Sequence, residues 1–451
     1  MADTKGQHVV LVVGGAVAGS EAAAQFTARG VLCIVVEHNG RPYGKIEDGL
    51  PRWHVKLRES EEDKIDAKLS HPKVLFVPRT RLGKDLGLDE LRTWGLSAIV
   101  LANGAWRDRP LPVPDADAYV GRGFYYQNPY VMWFNHYLEP DYTGPQCEVP
   151  DGALVVGGGL ASLDVVKILQ LETAVRALAA RGTQVNLYEV EKRGVKKTLE
   201  ERGLSLEALG LRGCTLVYRR TVEDMPVAEP PDGATPEQME RTRATRRKLL
   251  MNFKEKYLFR FQDRLAPLEA LVEGDRMAGL RLQRTELRDG SVHVLPDQPV
   301  EIRAPLVISS IGSIPESVDG LRMRGELYPV KDKETGELEG LPGVFAIGNA
   351  VTGKGNILVS LKHGRKASQR ILESYLMGDA TGFEQVLDAA AAEAGAKVAA
   401  VAQRVGAAPP LPPDRVDAIV QKVRALQARV GYAGDYWDWI AKVRRARPPK
   451  R

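Results

Sequence analysis

Two glycine-rich turns, about 140 residues apart, constrain this 451-residue chain more than any other feature. The first, Gly14-Gly15-Ala16-Val17-Ala18-Gly19, follows the β-branched run His8 to Val13. The second, Gly157-Gly158-Gly159-Leu160-Ala161-Ser162, follows Ala153 to Val156. Each lies between a strand-like run and a helix-like run, the helices being expected over Glu21 to Thr27 and Ala161 to Leu171. A turn of this kind carries backbone N–H groups up to a pyrophosphate at a helix N-terminus. A single one is also met in an ordinary βαβ unit. A pair predicts two dinucleotides, and the chemistry that couples them is hydride transfer between a nicotinamide and a flavin.

Gly14 and Gly19 take the first and third positions of the first motif, while Ala16 places a methyl group at the second. The next strand, Val31 to Val36, ends at Glu37, 23 residues after Gly14, where an acid can accept from ribose hydroxyls. In the second motif Gly157 and Gly159 hold the first two positions. Ser162 stands at the third, where close helix–strand packing asks only for a small residue. NAD and NADP differ by a 2′-phosphate. A strand over Gln184 to Tyr188 would end at Glu189 and favour NAD; one over Cys214 to Tyr218 ends at Arg219-Arg220, whose forked donors suit a phosphate. The arginines are the preferred reading, hence NADPH.

Further segments carry a family resemblance. They are Pro42-Tyr43-Gly44-Lys45-Ile46 with Gly49-Leu50-Pro51 and His54; Val131-Met132-Trp133-Phe134-Asn135; Tyr218-Arg219-Arg220-Thr221 with Met225-Pro226; Ile99 to Ala105; Val307 to Gly312; and Val344-Phe345-Ala346-Ile347-Gly348-Asn349. Over about residues 8–376 the chain resembles the adrenodoxin-reductase-like branch of FAD-dependent pyridine-nucleotide oxidoreductases. That branch includes bacterial ferredoxin–NADP reductases and the glutamate synthase small subunit. The resemblance implies FAD at Gly14, Ala16, Ala18, Gly19, Glu37, Gly44, Ile46, Gly104, Gly348, Asn349, Asn356 and Ile357. It implies NADP at Gly157, Gly159, Leu160, Ala161, Ser162, Arg219 and Arg220. It also places His54 near the flavin, where a proton relay and a purely structural histidine are both open. A helix over Ile357 to Ser374 would point its N-terminus at the flavin. Asn349 stands where the family usually has Asp.

The resemblance implies an α/β fold of two Rossmann-like domains: a discontinuous FAD domain (1–112 and 326–381), an inserted NADP domain (113–325) and a helical C-terminal extension (382–451). The expected activity is that of an NADPH-dependent reductase passing single electrons to a ferredoxin-like iron–sulfur protein. Two alternatives stand beside it: a flavin subunit of a larger oxidoreductase, and an FAD-binding interaction protein with weak catalysis. Cys33, Cys147 and Cys214 are scattered, so no Cys-x-x-Cys relays electrons, and no metal-ligand spacing is present. Only Met1 to Gln7 precede the first strand, so no built-in cluster and no signal peptide are expected. Without a long apolar run, no membrane span is expected either, which leaves a cytoplasmic protein. No nucleic-acid motif is found.

Thr235-Pro236-Glu237-Gln238 has capping-box spacing and opens a helix through roughly Phe253. Its Arg241, Arg243, Arg246, Arg247 and Lys248 form either a solvated face or a docking patch for an acidic partner. The net charge of +5 resides mostly in the tail after residue 408. There Pro409 to Pro413 read as a stiff linker and Asp414 to Val430 as an amphipathic helix, followed by Tyr432, Tyr436, Trp437, Trp439 and the basic Arg444-Arg445-Ala446-Arg447. Aromatics so dense predict order against this chain's own core, a second copy or a partner, and truncation after Gly382 is expected to spare FAD reduction.

Overall fold

The computed structural model describes residues 6–231, 233–331, 335–352 and 381–443, with the backbone alone for 352 and 381–393. The chain opens with β1 (Val9–Val13), α1 (Val17–Thr27), β2 (Leu32–Val36), α2 (Lys45–Asp48), α3 (Val55–Leu69), β3 (Val74–Val77), α4 (Leu88–Thr93) and β4 (Ala98–Leu101). Much later β15 (Val344–Ala346) completes their sheet, whose strand order is β15-β4-β1-β2-β3 and whose pairs are all parallel. Every residue of β1 is buried, as expected of a parallel strand covered on both faces.

The second sheet has the order β6-β13-β7-β8-β9, again parallel. Its strands are β6 (Phe124–Tyr126), β7 (Leu154–Gly157), β8 (Thr215–Val217), β9 (Arg260–Gln262) and β13 (Val307–Ser310), with helices α5 (Gln127–His136), α6 (Leu160–Ala180), α7 (Leu187–Arg193), α8 (Val195–Glu200) and α9 (Pro236–Tyr257). A two-stranded link, β5 (Arg107–Asp108) against β14 (Ser313–Ile314), lies where the chain leaves one sheet for the other and returns. The first sheet is therefore interrupted in sequence by the second.

Two features differ from the sequence reading. Gln184 to Tyr188 is not a strand. Residues 184–186 are an irregular lead-in to α7, which begins at Leu187; Asn186 caps it, its side chain accepting from Tyr188 N at 2.8 Å, and Glu189 lies in its first turn, outside the sheet. A three-stranded antiparallel sheet, β10 (Leu265–Glu273), β11 (Arg276–Arg288) and β12 (Ser291–Arg303), was not anticipated. Its β11–β12 turn is Asp289-Gly290, both at positive φ, a turn chemistry that favours hairpins.

A short α10 (Asn349–Thr352) follows β15, and after residue 380 the chain forms α11 (Thr381–Ala407), α12 (Pro413–Arg429) and α13 (Tyr436–Val443). The proline segment is more than a linker. Leu411 exchanges two backbone hydrogen bonds with Gln7, at 2.9 and 3.1 Å, tying it to the N-terminal segment. Ile419 and Val423 of α12 join the apolar cluster that includes Val9, Leu11, Ile34 and Val36, so the C-terminal region is ordered against this chain's own core. Arg444 to Arg447 lie outside the described residues. Among the described residues no helix is long and apolar enough to cross a membrane.

Candidate functional site

The first glycine turn joins β1 to α1. Gly14 sits at φ +96°, and an added Cβ would stand 2.6 Å from Ala102 O, so only glycine fits. Ala16 is the N-cap of α1 and supplies no side-chain hydrogen bond, which leaves the first amides of the helix for a ligand. Ala18 and the buried Gly19 lie in its first turn, and Gly348 comes alongside, its added Cβ 3.1 Å from Ala18 Cβ. The structure thus brings Gly348 and Asn349 to the first motif.

Glu37 is buried at the end of β2. Its Oε2 accepts from Gly15 N at 2.8 Å and its Oε1 from Asn39 N at 2.9 Å. Burial pushes its pKa up, while His38 and the two amides pull it down. With His38 Nδ1 also 3.1 Å from Oε1, about one of the carboxylate's four lone-pair sites remains for a ribose hydroxyl. A cavity of about 270 Å³ adjoins this acid and is lined by Gly14, His38, Thr80, Asn103, Trp106 and Asn128, among others. Gly44 and Gly104 flank Trp106, with added Cβ atoms 3.7 and 3.6 Å from its ring. Ile46 is buried in α2 directly beyond.

Lys45, next to Gly44, points to the link between the sheets. Its Nζ donates to Asn128 Oδ1 and Ser313 Oγ, both at 3.2 Å, and lies 5.5 Å from the Trp106 ring centre. Burial lowers its pKa to about 8, and burial raises that of Asp108 to about 6.

At the second turn Gly159 is the N-cap of α6, again without a side-chain cap, and Leu160, Ala161 and Ser162 form the first turn. Ser162 Oγ donates back to Gly159 O at 2.6 Å. A Cβ on Gly158 would fall 2.2 Å from the Tyr218 ring, so that ring closes over the turn. One added to Gly157 would fall 2.3 Å from Ser310 O. β8 is the parallel neighbour of β7, and it delivers Tyr218, Arg219 and Arg220 beside the turn. The backbone here is pinned: Thr285 Oγ1 donates to Arg219 O at 2.7 Å, and Arg264 N to Arg220 O at 3.2 Å. Neither guanidinium makes a hydrogen bond or ion pair among the described residues. Of the two acid-or-arginine options, the sheet topology therefore supports the arginines.

His54 is the N-cap of α3, at the junction of the two halves. Its ring centre is 6.0 Å from that of Trp53. Burial and the charges of Lys167 and Arg58 hold its pKa well below the usual histidine range, so the neutral imidazole is the resting form. Lys167 of α6, 2% exposed, pairs with Glu191 and lies 4.3 Å over the Trp53 ring. Sequence reading missed these neighbours, because only tertiary packing brings residues 53, 167 and 191 together. Asn356 and Ile357, and the helix expected to begin at Ile357, lie outside the described residues.

Most of the basic side chains of α9 are paired. Arg241 pairs with Glu237, Arg243 with Glu240, and Arg247 with Glu223 and Glu240. Arg246 is buried and donates to Ala228 O and Glu223 O at 2.8 and 2.6 Å. The helix spends most of its charge on its own acids and on a neighbouring turn. One acid–histidine group does form: Glu47, Asp48 and His136 offer atoms within 4.8 Å of one another. His136 Nε2 lies 2.9 Å from Asp48 and Nδ1 2.7 Å from Glu139. Burial alone would lower its pKa, but these hydrogen bonds outweigh it and raise it. An imidazolium held from both sides has no lone pair for a metal and ties α2 to α5.

Two parallel sheets, each with a glycine turn feeding an uncapped helix, define a fold built for two dinucleotides. No protein-family model matches the chain. It is similar to the mitochondrial NADPH:adrenodoxin oxidoreductase of Arabidopsis thaliana, 28% identical over 266 residues, or 54% of this chain and 51% of that protein. It is similar to the glutamate synthase [NADPH] small chain of Mycobacterium tuberculosis, 24% identical over 386 residues, or 82% of this chain and 67% of that one. The match therefore spans about half of the plant reductase. Among solved structures, Mycobacterium tuberculosis FprA in complex with NADPH superposes with a TM-score of 0.64, covering 94% of this chain and 91% of that one at 20% identity. The resemblance to this branch of oxidoreductases thus holds in sequence, and the fold is shared.

Proposed function

We propose that the chain is an FAD-dependent NADPH oxidoreductase. FAD is held by the domain of residues 1–112 and 326–381 and NADPH by that of 113–325, and the extension from 382 onward is helical over its described residues, up to 443. The observation that carries this reading is the pair of uncapped glycine turns, one beside the buried Glu37 and the other beside the unpaired Arg219 and Arg220. Bound in the first site, FAD would supply two-electron uptake from NADPH and release of electrons singly. The amides of α1 and α6 bind pyrophosphates, Glu37 orients a ribose, and the arginines hold a 2′-phosphate. Gly348 and Asn349 close the first turn. Neutral His54 offers a hydrogen bond at the junction, while burial and the charges of Lys167 and Arg58 disfavour its taking up a proton.

The three cysteines are free, and Cys33 and Cys214 are buried, so no thiol pair relays electrons. The electrons therefore pass to an outside acceptor, which we assign to the class of one-electron iron–sulfur proteins. The purified chain, given NADPH and a panel of ferredoxins, should reduce at least one with saturation kinetics and far outpace its rate with dioxygen. If a ferredoxin is reduced only after another subunit is added, the chain is the flavin subunit of a larger complex. If only dyes are reduced, and slowly, the interaction-protein reading replaces this one.

A further inference from the structure

The C-terminal helices grip the outside of the first dinucleotide site. α12 lies along β3, the edge strand of the first sheet, and Gln427 Nε2 donates to Phe76 O at 2.8 Å. Beyond it Tyr432 and Tyr436 set their rings against Phe76, with centroids 5.9 and 5.2 Å away. Asp66, 1% exposed in α3, receives the Tyr436 hydroxyl at 2.7 Å and the Tyr43 hydroxyl at 3.1 Å. Trp439 Nε1 donates to Gly40 O at 2.7 Å, and the Arg79 guanidinium lies 5.2 Å from a Trp439 ring centre. Tyr436 and Trp439 thus face inward; Trp437, 53% exposed, faces out.

These contacts fall on two segments that wall the site. Residues 39–44 begin just after Glu37 and end at Gly44, where an added Cβ would stand 2.8 Å from the Ala16 methyl in the glycine turn. Residues 78–82 return against Glu37, with Thr80 N donating to Glu37 O at 2.8 Å and Arg79 N to Asn39 O at 3.1 Å. Thr80, Arg81 and Leu82 line the cavity. Each wall is therefore fastened from behind by α13: one through Gly40 and Tyr43, the other through Arg79.

We propose that Tyr436, Trp439 and Asp66 are positioning residues for the dinucleotide at the first glycine turn. The inference rests on the FAD reading above. Loops of this length lose conformational entropy when a ligand orders them. A brace that orders them beforehand lowers that cost, and linkage makes the effect mutual, so FAD must strengthen the docking of residues 431–443 by the same factor. Burial and the Asp66 carboxylate raise the Tyr436 pKa far above the usual phenol range, so its hydroxyl remains a donor. This reverses the expectation that the C-terminal region is separable from flavin chemistry.

The test uses the full chain and the conservative variants Tyr436→Phe and Trp439→Phe. Both should fold, with the parent's circular dichroism and an apo melting temperature lowered by the one buried hydrogen bond each has lost. Their Kd for FAD, read from quenching of flavin fluorescence, should rise: about tenfold for Tyr436→Phe, the scale of one lost charge-assisted hydrogen bond, and severalfold for Trp439→Phe, whose lost bond to Gly40 O is neutral. Their affinity for 2′,5′-ADP, a probe of the other site, should not change. In the parent, FAD should slow amide exchange across residues 431–443. If the parent binds FAD and both variants bind it equally well, the brace is refuted while the FAD reading stands. A loss of FAD and 2′,5′-ADP affinity together would show a general folding defect and refute it too. If the parent binds no FAD, both fall.

Discussion

Replacing Arg219 or Arg220 by alanine should lower kcat/KM for NADPH by roughly 10- to 100-fold and leave NADH turnover nearly unchanged. A charge-assisted hydrogen bond to a phosphate is worth roughly 1.5–3 kcal/mol, which sets that scale. The two guanidiniums have no partner to give up among the described residues, so their removal disturbs little else. Their backbone is meanwhile fixed by Thr285 and Arg264, so the fork is aimed in advance. Steady-state kinetics with both cofactors checks the outcome. An equal loss for NADPH and NADH would remove the 2′-phosphate assignment.

Gly19→Ala should abolish FAD retention. The new Cβ would stand 1.7 Å from Gly14 O, inside the atom rather than against it, and neither backbone segment can yield without opening the turn. Forcing extra volume into a packed position costs ~1–3 kcal/mol or more. Here the distortion also falls on the amides that bind pyrophosphate. Ala16→Gly is the contrasting case: it removes the methyl group at the second position of the motif, where the backbone must approach the pyrophosphate, and should bind FAD as well as the parent or better. Flavin content after gel filtration separates the two variants. A Gly19→Ala protein with full FAD content would show that the turn does not carry the cofactor.

The parts of this protein visible in sequence are those set by local chemistry. The glycine turns, the acid closing β2, the Thr235 capping box and the arginines after β8 each depend on neighbours a few residues away. The segment Gln184 to Tyr188 differs from its strand-like alternation because Asn186 caps a helix that starts at Leu187, leaving residues 184–186 irregular. The antiparallel sheet escaped notice because charged residues break the alternation in β11 and β12, although Asp289-Gly290 marked their turn. The pairing of the α9 arginines with acids three to four residues away or in a distant turn is set by side-chain geometry that the charge run alone leaves open. The His54 surroundings and the grip of Tyr436 on Asp66 are pairings across 100 to 370 residues that no local pattern encodes.

The most direct test of the central claim is an anaerobic titration of the purified chain with NADPH, followed in the flavin absorption bands. The account predicts a yellow protein that releases FAD on denaturation. Its visible band should bleach fully with one equivalent of NADPH per flavin, and far more slowly with NADH. A colourless chain that cannot be reconstituted with FAD, or a bound flavin that NADPH leaves oxidised, would contradict it.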